Sequence, residues 1–276
     1  MRAHRHSCKS VPPISRSSGN NPEEGNEVNC NDKVAIVVGG GSGIGRATAE
    51  LFAAQGASVA VADVKKSGAA ETAEIVRSSG AKVSEHVCDI TRPEQVDLLI
   101  SEALEAHGRL DMVTSTVGWS DTTFFAQEDE AYWRKIVDIN LMGSIFLCRA
   151  ALRVFTEQKS GSIVLTSSDA GKVGTMGETV YAAAKAGVIG FVKSLAREIA
   201  RDGIRINAIS PGPTDTPLLR AQSDQHVIAK MIKAVPLKRM GTAAEQAGPI
   251  VFLASDAASY ITGQTLSVSG GLTMTS

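Results

Sequence analysis

The sequence predicts an α/β fold in which helices cover both faces of a doubly wound parallel sheet. From residue 32 onward, short apolar runs alternate with helical stretches, the order expected for parallel strands joined by right-handed crossovers. The first run, Val34–Val38, is apolar at every position, as is typical of a central strand buried on both faces. A length of 276 residues fits one such domain, predicted over residues 32–276.

The individual elements follow from the same alternation. Glycines at 39–45 end the first strand, and a polar turn at 65–68 follows the second. Helices are predicted at 46–55, 69–79, 131–155 and 179–200, and strands at Val34–Val38, Ser58–Asp63, 82–87, 112–116, 162–166, 204–209 and Thr265–Val268.

Composition excludes several classes of function. A formal net charge of -1 argues against a nucleic-acid partner bound by phosphate neutralisation. No run of about 18 apolar residues occurs, so no membrane span is expected. The four cysteines have neither C-x-x-C nor zinc-finger spacing, which predicts reduced thiols in a cytoplasmic protein and no metal site.

Residues 1–31 differ in composition from the rest of the chain. Basic residues, Ser and Pro are frequent there, and no apolar signal-peptide core is present. A targeting peptide is one interpretation, because no acidic residue precedes Glu23, although Pro12 and Pro13 interrupt helical amphipathicity. The favoured prediction is a disordered N-terminal extension.

The glycines after the first strand predict a phosphate-binding turn. Gly39, Gly43 and Gly45 permit a tight turn and close backbone approach, and the N-terminus of the following helix would face a pyrophosphate. Asp63 ends the second strand about 20 residues further on, where an acid binds the adenosine ribose in Rossmann-like folds. The sequence therefore predicts a Rossmann-like dinucleotide site.

The charge of Asp63 favours NAD over NADP, because a 2′-phosphate would meet the carboxylate at close range. Arg46, Lys65 and Lys66 argue for NADP, since a nearby cation tolerates the additional phosphate. The other interpretation of these three cations is solvated surface charge.

Tyr181 and Lys185 stand four residues apart in the mostly apolar helix TVYAAAKAGVIGFVK. That spacing places a phenol and an ammonium group on one helix face. A nearby cation favours the phenolate, so the pair predicts a tyrosine whose lowered pKa allows proton exchange near neutral pH. The same spacing occurs by chance on amphipathic helices, so its meaning depends on the surrounding motifs.

Together these motifs resemble the short-chain dehydrogenase/reductase family over about residues 32–273. Asn140 in DINLMG and Ser168, thirteen residues before Tyr181, complete the match. By this resemblance the cofactor-binding residues are Gly39, Ser42, Gly43, Ile44, Gly45, Asp63, Asp89, Ile90, Gly118, Tyr181, Lys185, Pro211, Gly212, Thr214 and Thr216.

The resemblance also implies a catalytic set formed by Asn140, Ser168, Tyr181 and Lys185. Tyr181 would be the general acid/base at the substrate oxygen, and Ser168 would stabilise the charge developing there. Lys185 would lower the tyrosine pKa and hold the nicotinamide ribose, while Asn140 would hold a water that relays protons. Ser167 is a rival for Ser168, because adjacent residues at a strand end point to opposite faces; the thirteen-residue offset favours Ser168.

Two segments depart from the family pattern. Val38 stands where Thr is usual, and Ser115, Thr116 and Val117 precede Gly118 where the family has Asn-Asn-Ala. The usual polar residues brace the central strands and line the floor of the cofactor site. We therefore expect altered cofactor affinity with the chemistry retained.

Three segments, SSDAGKVGTMGETVYAAAK, PGPTDTPLL and ITGQTLSVSGGLTM, are most similar within the family to the 2-hydroxycyclohexanecarboxyl-CoA dehydrogenases. This similarity implies an alicyclic or hydroxyacyl alcohol as substrate. Substrate contacts are expected from Trp119, Asp169 and Met176 and from a lid at about residues 213–240. For Trp119, packing against the lid is an equal interpretation.

The leading prediction is an NAD(H)-dependent oxidoreductase (EC 1.1.1.-) that interconverts a secondary alcohol and its ketone. One alternative is an NADP-dependent 3-oxoacyl reductase, and another is a catalytically silent nucleotide-binding scaffold. The resemblance further implies a homotetramer joined through the two long helices and the C-terminal strand region.

Overall fold

The fold is built on a sheet of seven parallel strands in a computed structural model that describes residues 28–275. The strands of the chain are β1 (Val34–Val38), β2 (Ser58–Asp63), β3 (Val83–Val87), β4 (Met112–Ser115), β5 (Gly161–Thr166), β6 (Ile204–Pro211), β7 (Thr214–Asp215), β8 (Gly241–Thr242) and β9 (Thr265–Val268). The sheet order is β3-β2-β1-β4-β5-β6-β9. The order reverses between β1 and β4, and in such folds ligands bind outside the carboxyl ends of the strands at this point.

Helices lie on both faces of the sheet, as predicted. They are α1 (Gly43–Ala54), α2 (Lys66–Ser78), α3 (Pro93–His107), α4 (Glu130–Val137), α5 (Gly143–Gln158), α6 (Ala170–Val173), α7 (Thr179–Ile199), α8 (Pro217–Gln222), α9 (Gln225–Ala234) and α10 (Ala243–Ala254). The predicted polar turn at 65–68 is wrong for most of its length, because α2 already begins at Lys66.

The core consists of two apolar layers, one on each face of the sheet. Phe155 and Val188 lie in the layer that includes α5 and α7, whereas Phe52 and Ile250 lie in the layer that includes α1 and α10. All five residues of β1 are buried, which explains its uniformly apolar sequence.

The single helix predicted at 131–155 is interrupted. A π-helical turn, Asp138–Met142, separates α4 from α5. The Asn140 side-chain amide donates to the Ile136 carbonyl at 2.9 Å and to the Trp119 carbonyl at 2.7 Å. A side chain that bonds the carbonyl four residues earlier competes with the helical ladder, and such turns are frequent at functional sites.

The two ends of the predicted lid lie side by side, because the segment begins and ends in two short paired strands. β7 pairs with β8 in a parallel register, so the chain leaves and re-enters the domain at one place. Between these strands lie α8 and α9, which carry no fully buried residue. This arrangement gives the lid a fixed base and a weakly packed body.

The predicted N-terminal extension at 1–31 falls largely outside the described residues, which begin at residue 28. Residues 28–31 pack against the domain. Cys30 is 1% exposed, and its backbone N–H donates to the Gln55 carbonyl at 2.9 Å. The domain therefore includes these four residues.

Among the described residues, one helical stretch, Glu130–Gln158, is long and apolar enough to cross a membrane by length and composition alone. Of its most apolar window, 44% is buried. Leu147, Cys148 and Phe155 of this stretch belong to the core, so its hydropathy is that of a core helix.

Candidate active site

The glycine turn after β1 forms a cradle that only glycine can build. Gly39 has φ 79°, and a Cβ at Gly45 would lie 2.0 Å from the Gly39 carbonyl oxygen. The helix α1 begins at Gly43, and its first turn carries no acidic side chain. Its free N–H groups and dipole therefore suit the pyrophosphate of a dinucleotide. Ser42 and Ile44 lie in the same turn, and Ser42 is exposed.

Asp63 is fixed beside this turn at the end of β2. Its carboxylate accepts backbone N–H bonds from Gly41 and Lys65, each at 2.9 Å. Arg46 is committed elsewhere, since its guanidinium donates to Glu71 at 2.9 Å, to Thr72 at 3.1 Å and to the Gly41 carbonyl at 2.8 Å. Of the three cations that argue for NADP, Arg46 is thus already paired with Glu71.

The predicted adenine-side residues follow β3. The Asp89 carboxylate accepts from the Thr91 backbone N–H at 2.9 Å and from its hydroxyl at 2.7 Å. The Ile90 side chain is buried against α5, where a Cβ on Gly143 would lie 2.7 Å from it. Ile90 can therefore reach a ligand only through its backbone.

The altered segment after β4 still braces the central strands. The Thr116 hydroxyl donates to the carbonyls of Val38 at 3.2 Å and Gly39 at 3.3 Å. The Ser115 hydroxyl, in contrast, is buried and has no hydrogen-bond partner. Thr116 thus takes over the bracing that the family assigns to other residues.

Lys185 is a fully buried lysine between the ends of β4 and β5. Its ammonium donates to the Thr166 carbonyl at 2.9 Å and to the Val117 carbonyl at 3.3 Å. A Cβ on Gly118 would lie 3.3 Å from the Lys185 Nζ, so a larger residue there would crowd the ammonium. Burial lowers the lysine pKa to about 7.

Tyr181 lies one helical turn before Lys185, as predicted, but its pKa is shifted in the direction opposite to the prediction. Burial raises the pKa of the phenol to about 12, a hydrogen bond with Ser168 acts against this, and the charge of Glu178 adds to it. The Lys185 Nζ is 5.7 Å from the centre of the Tyr181 ring. Because burial lowers the lysine pKa to about 7, only part of the lysine is protonated at neutral pH. Desolvation therefore outweighs the cation.

The two serines after β5 have different surroundings. The Ser167 hydroxyl is buried and donates to the Lys185 carbonyl at 2.8 Å, so it is committed to α7. Ser168 is partly exposed, accepts the Ala170 backbone N–H at 3.2 Å and hydrogen-bonds Tyr181. Of the two serines, only Ser168 hydrogen-bonds the Tyr181 phenol.

Asn140 is buried at the π-helical turn and holds the chain after β4. Its carboxamide oxygen accepts the Trp119 N–H at 3.1 Å, and its nitrogen donates to the Trp119 carbonyl at 2.7 Å. A Cβ on Gly118 would lie 3.5 Å from the same carboxamide oxygen. Asn140 and Lys185 therefore flank one glycine.

The segment after β6 meets both the serine loop and the glycine turn. The Pro211 carbonyl accepts the Asp169 N–H at 3.1 Å, and a Cβ on Gly43 would lie 3.4 Å from Thr216. Thr214 is buried and donates to the Gly212 carbonyl at 2.9 Å. The chain at 211–216 thus closes over the predicted dinucleotide site.

The three predicted substrate contacts have different environments. Trp119 is partly exposed, meets Tyr132 edge-on at 5.9 Å and carries the Lys135 ammonium 3.6 Å above its ring. Met176 is 82% exposed on the loop before α7. Asp169 is only 5% exposed and accepts from the Ser210 hydroxyl at 3.1 Å, so its side chain faces the protein interior.

Two residues that the sequence reasoning missed lie next to this site. Glu178 is the N-cap residue of α7, three residues before Tyr181, and its carboxylate accepts from the Ser120 hydroxyl at 2.8 Å. The two residues are 58 positions apart in the chain, so no local pattern joins them. The letters GETVY could have marked Glu178 as a charge one turn before the tyrosine.

A family model described as "Enoyl-(Acyl carrier protein) reductase" matches residues 39–273, which contain every site residue discussed above. The chain belongs to the short-chain dehydrogenase/reductase family. It is accordingly an oxidoreductase with a Rossmann-like fold. Membership in this family accounts for the glycine turn after β1 and for the tyrosine and lysine four residues apart on α7.

Characterised relatives of this short-chain dehydrogenase/reductase are named as reductases. The chain is 40% identical over 243 residues, 87% of its length and 97% of the relative, to a 3-oxoacyl-[acyl-carrier-protein] reductase FabG of Chlamydia muridarum. The FabG of Escherichia coli is 36% identical over 247 residues, which cover 90% of this chain and all of the relative. These findings do not support the expected special likeness to 2-hydroxycyclohexanecarboxyl-CoA dehydrogenases.

Two solved structures are similar over most of the chain. The crystal structure of gox2181 has a TM-score of 0.86 at 35% identity, covering 89% of this chain and 97% of its own. The crystal structure of levodione reductase has a TM-score of 0.84 at 35% identity, covering 87% and 97%.

Proposed function

We propose that this chain reduces a ketone to a secondary alcohol, and catalyses the reverse reaction, with a nicotinamide dinucleotide. The observation that carries the proposal is the position of Tyr181 and Lys185. They lie one turn apart on α7, where the buried lysine also packs against Gly118 in the loop after the central strand β4. The glycine turn of β1, the neighbouring strand, would hold the dinucleotide at the same edge.

In this proposal each residue of the catalytic set has one role. The bound nicotinamide supplies or accepts the hydride. Tyr181 gives a proton to the substrate oxygen as negative charge develops there, and Ser168 donates a hydrogen bond to the same oxygen. Lys185 orients the nicotinamide ribose and, when protonated, replenishes the tyrosine proton. Asn140 holds the backbone at Trp119 and Gly118 in place and relays protons through a water.

The pKa values indicate which direction is easier near neutral pH. A phenol whose pKa is raised to about 12 is protonated at neutral pH, which suits a proton donor in ketone reduction. Alcohol oxidation needs the phenolate, so we propose that it is favoured only at higher pH. This agrees with relatives that are named as reductases.

For the cofactor we propose NAD rather than NADP. Support comes from the Asp63 carboxylate beside the glycine turn and from Arg46, which is paired with Glu71. In this proposal Asp89 and Ile90 would contact the adenosine side of the dinucleotide, and the segment at 211–216 would contact its nicotinamide side. NADP remains the alternative cofactor, since the members of the family use both.

For the substrate we propose a 3-oxoacyl compound, because several relatives of this chain are named 3-oxoacyl-[acyl-carrier-protein] reductase. A ring ketone or alicyclic alcohol is the second candidate, supported by the likeness to levodione reductase. Trp119, Met176 and the lid would contact either substrate. Turnover of 3-oxoacyl esters and ring ketones, followed as NADH oxidation, separates the two candidates.

The decisive experiment compares Tyr181→Phe with the wild type. The variant should lose about 100- to 10,000-fold in turnover while still binding NADH, because general acid catalysis typically contributes that much. Wild-type turnover of no ketone in a broad panel would instead favour the silent nucleotide-binding scaffold. Undiminished activity of Tyr181→Phe would refute the assigned acid.

We also propose a cytoplasmic homotetramer. The cysteines of the described residues, Cys30, Cys88 and Cys148, are free and buried, as expected in a reducing compartment. The helices α5 and α7 and the strand β9 at the edge of the sheet are the surfaces through which family members associate. Size-exclusion chromatography with light scattering tests the assembly.

A further inference from the structure

Glu178 is a carboxylate beside the proposed proton donor that the proposed mechanism does not use. It is the N-cap residue of α7, directly before the first helical residue Thr179 and three residues before Tyr181. Its side chain is half-buried, and burial raises its pKa. Throughout residues 28–275, it forms no ion pair with Lys or Arg.

A helix cap would be the ordinary reason for a carboxylate at this position. Glu178 makes no side-chain hydrogen bond to the N–H groups of α7, so it does not cap the helix. Its hydrogen-bond partner is the Ser120 hydroxyl, which donates at 2.8 Å from the loop after β4. The carboxylate thus faces the segment that carries Trp119, away from its own helix.

Ser120 joins this carboxylate to the lid. Its backbone carbonyl accepts a hydrogen bond from the Gln222 side chain at the end of α8, and only 9% of the serine is exposed. The preceding residue, Trp119, is held by Asn140. Glu178 therefore lies where the lid, the loop after β4 and the start of α7 meet, three residues before Tyr181.

The cations around this point are engaged by other groups. Lys185 donates to two backbone carbonyls, Lys135 stands over the Trp119 ring, and Arg220 of the lid forms a two-pronged ion pair with Asp215. Among residues 28–275 none of these cations pairs with Glu178, so a substrate anion next to the reacting carbon would meet a carboxylate that no ion pair neutralises. Like charges brought together in a partly desolvated site repel strongly.

We propose that Glu178 is a specificity-determining residue that excludes substrates with a negative charge beside the reacting carbonyl. The site would accept simple ketones and the esters and thioesters of oxo acids, which carry no charge beside the reacting ketone. It would reject the corresponding free oxo acids. This inference rests on the proposed ketone reduction and narrows its substrate class to neutral oxo compounds.

The test uses two matched pairs of substrates with NADH as the reductant. Ethyl acetoacetate is compared with acetoacetate, and ethyl levulinate with levulinate. Wild type should prefer each ester by on the order of 100-fold in kcat/KM, the size expected for one close pair of like charges. Glu178→Gln, which keeps the shape and the hydrogen bond from Ser120, should reduce this preference at least about tenfold by improving turnover of the acids.

The control is Glu130→Gln, which removes an exposed carboxylate on α4 that is paired with Arg134. It should leave the ester-to-acid ratio unchanged. Equal use of ester and acid by the wild type, or a Glu178→Gln variant that alters both alike, overturns the inference while ketone reduction stands. If the wild type reduces neither ester but reduces a ring ketone, the inference is overturned and ketone reduction stands; if it reduces no ketone of a broad panel, both are overturned.

Discussion

Asp63 and Arg46 bind opposite ends of one residue, Gly41. The carboxylate accepts the Gly41 N–H at 2.9 Å, and the guanidinium donates to the Gly41 carbonyl at 2.8 Å. A Cβ on Gly41 would lie 2.7 Å from the Asp63 carboxylate. Asp63, Arg46 and the glycine turn therefore form one hydrogen-bonded unit at the place where the ribose of a dinucleotide would bind.

This unit predicts the cofactor preference. The wild type should use NADH at least about tenfold better than NADPH in kcat/KM, because the 2′-phosphate would approach an unshielded carboxylate. Asp63→Ser should lower the use of NADH and raise that of NADPH. Initial rates at varied cofactor concentration measure both, and a clear NADPH preference of the wild type would contradict the assignment.

A second variant tests the role of Arg46 separately. The Arg46 guanidinium lowers the pKa of the Glu71 carboxyl through their hydrogen bond. Glu71→Gln weakens this pair without touching Asp63, so the freed guanidinium should improve NADPH use modestly and leave NADH use unchanged. Glu74→Gln, which removes the exposed partner of Arg77, is the matched control.

A second prediction concerns the direction of the reaction and pH. Because burial raises the Tyr181 pKa to about 12, the phenol stays protonated through the neutral range. Loss of the tyrosine proton should therefore not limit ketone reduction up to about pH 8, and any decline above pH 7 should follow Lys185, whose pKa is about 7, whereas alcohol oxidation should rise with pH beyond about 9. Profiles of kcat/KM in both directions check this, and oxidation that already levels off below pH 7 would disprove it.

A third prediction concerns the stability contributed by Lys185. Its pKa falls from 10.5 to about 7, so the folded state is destabilised most below pH 7 and progressively less as pH rises towards 10.5. Lys185→Met should abolish turnover and raise the free energy of unfolding by about 1–3 kcal/mol near neutral pH, as replacements of buried charges often do. Urea unfolding at pH 7 and pH 10 should show a gain that shrinks at the higher pH.

The opposite outcome for Lys185→Met is equally informative. A variant that is less stable than the wild type at pH 7 would mean that the bonds to the Val117 and Thr166 carbonyls outweigh the burial of the charge. Lys193→Met, a change on the exposed side of the same helix, controls for the removal of a lysine.

The sheet was predictable because its strands are short and the central ones, β1 and β2, are almost entirely apolar. β1, β2 and β9 coincide with the sequence prediction, and β6 continues two residues beyond it to Pro211. The two-residue strands β7 and β8 carry no periodic signal, since their pairing depends on the chain returning after the lid. The π-helical turn was also missed, because the sequence alone does not show what the Asn140 amide bonds.

The sequence predicted which residues form the candidate site better than it predicted their pKa values. The spacing of Tyr181 and Lys185 predicted a shared helix face correctly, yet the predicted fall of the tyrosine pKa was wrong. Burial of both groups and the charge of Glu178 come from tertiary packing, which spacing does not describe. Similarly, Asp169 was expected at the substrate, but its contact with Ser210, 41 residues away, turns it inward.

A fourth prediction concerns acid stability at the edge strand β3. The Ser84 hydroxyl lies 2.8 Å from His86 and 2.9 Å from His107, and Glu102 holds the other nitrogen of His86. Burial lowers the His107 pKa, and the nearby Lys82 and His86 lower it further. The unfolded chain therefore takes up this proton first, so stability should fall as pH drops through 6.5.

His107→Gln tests this prediction, because the amide keeps a donor towards Ser84 and does not titrate. The variant should lose less stability than the wild type between pH 7 and pH 5, as measured by thermal unfolding. His226→Gln, on the exposed lid helix α9, is the matched control and should behave like the wild type. Equal acid sensitivity of His107→Gln and wild type would contradict the role of this cluster.

The fifth prediction compares the adjacent hydroxyls of Ser115 and Thr116. The Ser115 hydroxyl is buried without a partner, whereas the Thr116 hydroxyl bonds the Val38 and Gly39 carbonyls. Ser115→Ala removes an unsatisfied group and should leave stability unchanged or raise it by up to about 1 kcal/mol, whereas Thr116→Val leaves carbonyls without their donor and should lower it by about 1–2 kcal/mol. Because Thr116 braces the glycine turn, only its replacement should also weaken NADH binding, measured by nucleotide fluorescence. Equal effects of both changes on stability and binding would show that the segment replacing Asn-Asn-Ala does not brace β1 through the Thr116 hydroxyl.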